Sequence, residues 1–161
     1  MEYHPLVEKI KTLLTERSCW FETFEHEPVR TSEEAAKVRS GYVLHQGAKA
    51  LIVKAKKNAD GVFVMLVIPG DSRFDGEKVR KLLGTKELRF ATEDEVSEIT
   101  QGVVVGGVPP FGNLFNLEVI VDSKLLENEK IIFNAGDRRF SISMKSADYI
   151  NLVKPKIADI I

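Results

Sequence analysis

Ala48-Lys49-Ala50-Leu51-Ile52-Val53 and Val62-Phe63-Val64-Met65-Leu66-Val67-Ile68 are two short apolar runs separated by the turn-rich Asn58-Ala59-Asp60-Gly61. Their β-branched and aliphatic content suits a pleated surface, and the turn residues between them predict an antiparallel hairpin. Pro69-Gly70 stops the second strand, because proline has no N–H to give to a ladder.

Upstream, Leu6, Ile10, Leu13 and Leu14 recur at helical spacing between Pro5 and Arg17. Trp20, Phe21 and Phe24 predict a strand ending at His26-Glu27-Pro28. Thr31 precedes Glu34 by three residues, a capping-box pattern opening a short helix over 32–39. Downstream, Asp75 is placed to cap a helix carrying Val79, Leu82 and Leu83 and closed by Gly84. Thr92 and Glu95 repeat the capping-box pattern. Strands are expected near 117–121, 131–134 and 138–143, and Ser146 is expected to cap a last helix through Leu152. No regular β-α-β rhythm appears, so the chain reads as one α+β domain over residues 1–161, with a mixed, mainly antiparallel sheet.

The bulk numbers bound the function. The 161 residues suffice for one domain with a sizeable core, and 43% hydrophobic with 29% charged residues is an ordinary globular balance. No apolar run approaches the ~20 residues that span a bilayer. Met1-Glu2-Tyr3-His4-Pro5 lacks the features of a secretory signal. Cys19 has no cysteine to pair with, and the expected setting is cytoplasmic. A net charge of -1 argues against coating nucleic acid by bulk charge, but leaves room for a local basic patch.

The common catalytic signatures are missing: no phosphate-binding Gly-x-x-x-x-Gly-Lys loop, no His-Glu-x-x-His, no Gly-x-Ser-x-Gly. One cysteine and three scattered histidines give no zinc-ligand spacing, so neither metal nor cofactor is expected. Two features remain. Lys49 interrupts an apolar strand start, where it is either on the solvent face or a functional cation. The segment from Gly102 to Asn113 is rich in glycine and proline. Glycines at 106 and 107 let backbone N–H groups approach a ligand, as in an oxyanion hole; a plain surface turn is the alternative.

These residues resemble the YbaK/ProX family of editing deacylases. Gly47-Ala48-Lys49-Ala50-Leu51-Ile52-Val53 is similar to its lysine-bearing strand. Gly106-Gly107-Val108-Pro109-Pro110-Phe111-Gly112 is similar to its Gly-Gly-x-x-Pro-x-Gly loop. Phe133-Asn134-Ala135-Gly136 with Ser141-Ile142-Ser143-Met144 resembles its C-terminal strand pair, and Phe24-Glu25-His26-Glu27-Pro28 its early strand and turn. The order holds over roughly residues 20–153. Ala50 departs from a commoner threonine, Val108-Pro109-Pro110 from a Ser-Pro arrangement, and Asn134 from a serine.

The resemblance implies a single curved, mainly antiparallel sheet and trans hydrolysis of mischarged aminoacyl-tRNA. The implied partners are the tRNA acceptor end and prolyl-tRNA synthetase, without a membrane. It implies Lys49, Gly106 and Gly107 as catalytic, with water as nucleophile activated by the substrate's own groups. Phe24, His26, His45, Pro109, Pro110, Asn134, Gly136 and Ser141 are implied on the substrate side. Phe24, Ile52 and Phe133 are pocket walls or ordinary core. Lys54, Lys56, Lys57, Arg73, Arg138 and Arg139 are candidate phosphate contacts. Alanine is the expected amino acid, with serine and cysteine next. The alternative is a module that binds aminoacyl-tRNA or a nucleotide without hydrolysis.

Overall fold

Residues Ala48–Lys56 and Val62–Pro69 pair antiparallel, Ala48 opposite Pro69 and Ala55 opposite Val62. The computed structural model describes residues 2–29, 31–56 and 59–161, so Lys57 and Asn58 of the connecting turn lie outside the described residues. In chain order the elements are α1 (Leu6–Glu16), β1 (Phe21–Glu25), α2 (Ser32–Val38), β2 (Ala48–Lys56), β3 (Val62–Pro69), α3 (Gly76–Leu83) and β4 (Glu87–Phe90). Then follow α4 (Glu93–Thr100), β5 (Glu118–Asp122), β6 (Lys130–Asp137), β7 (Phe140–Lys145), α5 (Ser146–Val153) and β8 (Lys156–Ala158). A 3-10 turn, Leu44–Gln46, leads into β2.

The α+β character and the antiparallel majority are as the sequence predicts, but hydrogen bonding divides the single expected sheet into two. One is three-stranded, β1-β7-β6; the other is five-stranded, β4-β2-β3-β5-β8, with β3–β5 and β5–β8 parallel. An isolated bridge between Gly47 and Ile132 links them. The apolar runs of β2 and β3 are nearly continuous because both faces are covered. Ala48 and Ile52 pack into the core with Met65, Val67 and Phe133, while Val53 and Ala55 pack against Leu66, Ile68 and Val79 on the other face.

The helix ends follow their predicted caps. The Thr31 hydroxyl accepts from Glu34 N–H at 3.1 Å, the Thr92–Glu95 box closes in both directions, and Asp75 accepts from Glu77 and Lys78 N–H. Gly84 ends α3 at φ +66°, a left-handed position. Ser146 is a correction. It is the first residue of α5 rather than its cap, and its hydroxyl donates to the Asn128 carbonyl at 2.5 Å. Strands β4 and β8 escaped the sequence reading. Both are short edge strands with mainly exposed or half-exposed residues, so no apolar run marks them. Among the described residues no helix is long and apolar enough to cross a membrane.

Candidate active site

Strand β4 pairs with β2 only from Val53 onward, so the outer edge of residues 48–51 has no strand beside it among the described residues. Helix α2, the 3-10 turn and the loop around Gly106 surround that edge and enclose a cavity of about 220 Å³. Of the sequence-predicted site residues, Lys49, Gly106 and Asn134 line it.

Lys49 is half-buried rather than solvated. Strand alternation puts it on the face of Val53 and Ala55, opposite Ile68, at the end of that core. Its Nζ donates to the Ser72 carbonyl at 2.7 Å. Burial pushes its pKa below the usual lysine value; the Glu33 carboxylate opposes that shift and the Arg73 guanidinium adds to it.

The glycine loop is anchored at both residues, with different consequences. Gly107 N–H closes a turn onto the Val104 carbonyl at 2.8 Å, and its own carbonyl accepts from Gly136 N–H at 2.9 Å. The predicted backbone donor at Gly107 is therefore already engaged. Gly106, at φ +95°, offers its carbonyl to Asn134 Nδ2 at 2.7 Å, while its N–H has no acceptor among the described residues. Of the two glycine N–H groups, that of Gly106 is the one without an acceptor among the described residues. Gly136 does not line the cavity; it occupies an irregularity in β6, at φ +101°, that brings the strand against the loop.

Behind Asn134 runs a polar relay. Asn134 and Ser141 are paired across β6 and β7, and Ser141 faces Phe24 on β1. Arg39, which follows α2, donates from Nε to Ser141 Oγ at 3.0 Å and from Nη2 to Asn134 Oδ1 at 3.1 Å. His26 Nδ1–H donates to the Glu27 carbonyl at 2.9 Å, which leaves Nε2 to accept the Ser141 hydroxyl at 2.7 Å. Burial, reinforced by the Arg39 charge, holds the His26 pKa below its ordinary value, in keeping with a neutral ring. Ser141 and His26 thus support the cavity from outside it.

Other expected residues stand further off. His45 accepts from Asn128 Nδ2 at 2.9 Å, away from the cavity. Pro109 and Pro110 are buried, and the Pro110 carbonyl accepts the Tyr149 hydroxyl at 2.6 Å, so they anchor the loop. Phe24 touches the cavity only through Tyr42, edge to face at 5.8 Å. Ile52 and Phe133 are core. The Cys19 thiol is pushed up by burial and accepts no role here. Among the described residues no group of three or more His, Cys, Asp or Glu is placed to hold a metal.

Arg39 was missed by the sequence reading. It is 7% exposed, lines the cavity, and burial lowers its pKa to about 10, which leaves it charged at neutral pH. No signal in Lys37-Val38-Arg39-Ser40 separates it from a surface arginine. Tyr42, Thr31 and Ser32 complete the polar part of the wall. Two cations and no carboxylate line the cavity among the described residues.

The candidate phosphate contacts are dispersed. Arg73 is exposed near Lys49, and the Arg138 stem packs on Gly106 and Gly107. Arg139 is tied to Asp137 at 2.8 Å and lies over the Tyr3 ring. Lys54 and Lys56 line a separate groove with Arg80, Lys86 and Arg89. Lys57 lies outside the described residues.

Known proteins share this fold. Residues 26–152 match the model of the aminoacyl-tRNA editing domain. The chain is 32% identical over 153 residues to the multifunctional Ser/Thr-tRNA deacylase ProXp-y of Escherichia coli, covering 94% of this chain and 90% of that one. It is 27% identical to the proline–tRNA ligase of Caldicellulosiruptor saccharolyticus over 83% of this chain, but only 25% of the ligase. A crystal structure of a proposed trans-editing enzyme for prolyl tRNA synthetase superposes with a TM-score of 0.82 at 26% identity, covering 99% and 98% of the two chains. With most of its length matched by the family model and nearly all by a deacylase, this chain belongs to the aminoacyl-tRNA editing domain family.

Proposed function

We propose that the protein acts in trans to hydrolyse the ester between a small, wrongly attached amino acid and the 3′ end of tRNA. The observation that carries this reading is the carboxylate-free cavity with Lys49 and the unpaired Gly106 N–H on its wall, in a chain of the editing family. Match to nearly the whole of a deacylase, rather than to a fraction of a synthetase alone, favours action in trans.

In this mechanism Lys49 holds a polar group of the terminal nucleotide, so that the ester carbonyl lies against Gly106. Water attacks the carbonyl carbon, and its proton is relayed through the neighbouring ribose hydroxyl, which gives its own proton to the departing ribose oxygen. The Gly106 N–H stabilises the oxyanion, an effect worth about 10²–10³ in rate for one such donor. Collapse breaks the C–O bond to the ribose and releases the amino acid. The cavity of about 220 Å³ admits alanyl, seryl and threonyl groups, and the name of the Escherichia coli relative favours the two hydroxylated ones. The similarity to proline–tRNA ligases makes proline tRNA the first acceptor to try and that synthetase the natural partner.

The test is ester loss from tRNA carrying alanine, serine, threonine or cysteine, with a Lys49→Ala variant beside the native protein. Turnover of a small aminoacyl group, reduced about 10²-fold in the variant, is expected. Binding without turnover on every ester would replace hydrolysis by simple capture of aminoacyl-tRNA.

A further inference from the structure

The depth of the cavity separates two kinds of group. Val43 and Val105 are 63% and 49% exposed and stand at the mouth with Gly106. Arg39 is buried, with Ala35 and Val29, at the floor. Arg39 is thus the deeper of the two cations on the cavity wall.

The guanidinium there is incompletely used. Nε and Nη2 donate to Ser141 and Asn134, both neutral, whereas Nη1 has no acceptor among the described residues, and no carboxylate there forms an ion pair with Arg39. A guanidinium has five N–H groups to give, and with no buried side-chain donor left unpartnered among the described residues, Nη1 is open to the cavity, where a ligand oxygen can replace water. Nη1 stands beside Gly47, where a Cβ would lie in ordinary contact with it at 3.6 Å. The Nε/Nη2 edge is taken up by two neutral oxygens, the Ser141 hydroxyl and the Asn134 amide, so a further neutral oxygen completes the set in kind. A single hydroxyl oxygen matches what remains.

We propose that an ester held at Gly106 and Lys49 turns its amino-acid side chain to the floor, where Arg39 Nη1 reads its hydroxyl and so makes the enzyme selective for hydroxylated residues over apolar ones of equal size. This rests on the deacylase reading above and adds to it the residue that sets specificity. An apolar side chain would displace water from Nη1 and return nothing, whereas a hydroxyl replaces the lost bond. Such sites discriminate far better than sites that sense a missing methylene.

The experiment compares seryl and 2-aminobutyryl esters on the same tRNA, which differ by a hydroxyl in place of a methyl. In the native protein kcat/KM for the seryl ester is expected to be about 10- to 100-fold higher. In Arg39→Met that ratio is expected to collapse toward one while the 2-aminobutyryl ester is still turned over. Equal rates in the native protein would overturn the inference, whether or not the variant folds. So would an equal fall for both esters in the variant, which is the signature of a merely positioning role. An aspartyl ester hydrolysed faster than the seryl one would assign the floor to carboxylates instead. Loss of no ester at all would sink the deacylase reading itself and is distinguishable from these outcomes.

Discussion

Lys49 and Arg39 are both charges among apolar neighbours, yet only one was visible in advance. Lys49 breaks a run of strand residues, so its oddity is local. Arg39 follows a polar helix, and its burial arises from strands β6 and β7 about a hundred residues away, which supply Asn134 and Ser141. His26 is the titratable member of that relay. Its folded pKa is lowered, so below its ordinary value of about 6.5 the unfolded chain takes up the proton more readily than the native one. Stability from this group is therefore complete above that pH and declines as pH falls toward the lower native value. The melting temperature is expected to drop between about pH 7 and pH 5, and to drop less in His26→Gln. An unchanged slope in thermal unfolding of the variant would refute it.

The elements announced themselves where their signals are covalent neighbours. A capping box needs only residues three apart, and a hairpin only two runs and a turn. The irregularity in β6 needed more. Gly136 at φ +101° brings its N–H to the Gly107 carbonyl, and a Cβ there would lie 2.7 Å from Leu6 Cβ on α1. Gly136→Ala therefore meets both backbone strain and overlap with a packed helix. A loss of about 2–4 kcal/mol in urea unfolding is expected, with deacylation falling further than stability because the loop carrying Gly106 is held by that bond. A variant as stable as the native protein would show that α1 yields easily.

Across the molecule, strand β2 connects the cavity to the basic groove. Lys54 lies five residues beyond Lys49, ~17 Å along an extended strand. Arg73 and Arg138 stand nearer the cavity. If these cations hold RNA phosphates, log kcat/KM falls linearly with log salt, with a slope near −0.7 per single-strand contact. Substituting Arg73 and Arg138 together by alanine is expected to make that slope shallower by about 1.4. Salt-independent turnover of full-length aminoacyl-tRNA would remove the phosphate role. The other end of the chain is fastened by Asp122, fully buried, whose carboxylate accepts from Ile160 N–H at 2.8 Å and Lys124 N–H at 2.9 Å. Asp122→Ala leaves those donors unpaired, and a loss of about 2–3 kcal/mol in urea unfolding is expected.

By itself the sequence determined the mixed α+β class, the central hairpin, the caps of α2, α3 and α4, and the two segments, around Lys49 and Gly106, on which the cavity is built. These depend on contacts between near neighbours in the chain, where period and turn chemistry are decisive. Only the tertiary structure decided that one expected sheet becomes two, that Gly107 is spent on Val104 while Gly106 keeps its N–H, and that Arg39 forms the cavity floor. Each of those depends on hydrogen bonds or burial among groups distant in sequence, or on which way one backbone amide turns, and neither leaves a pattern along the chain.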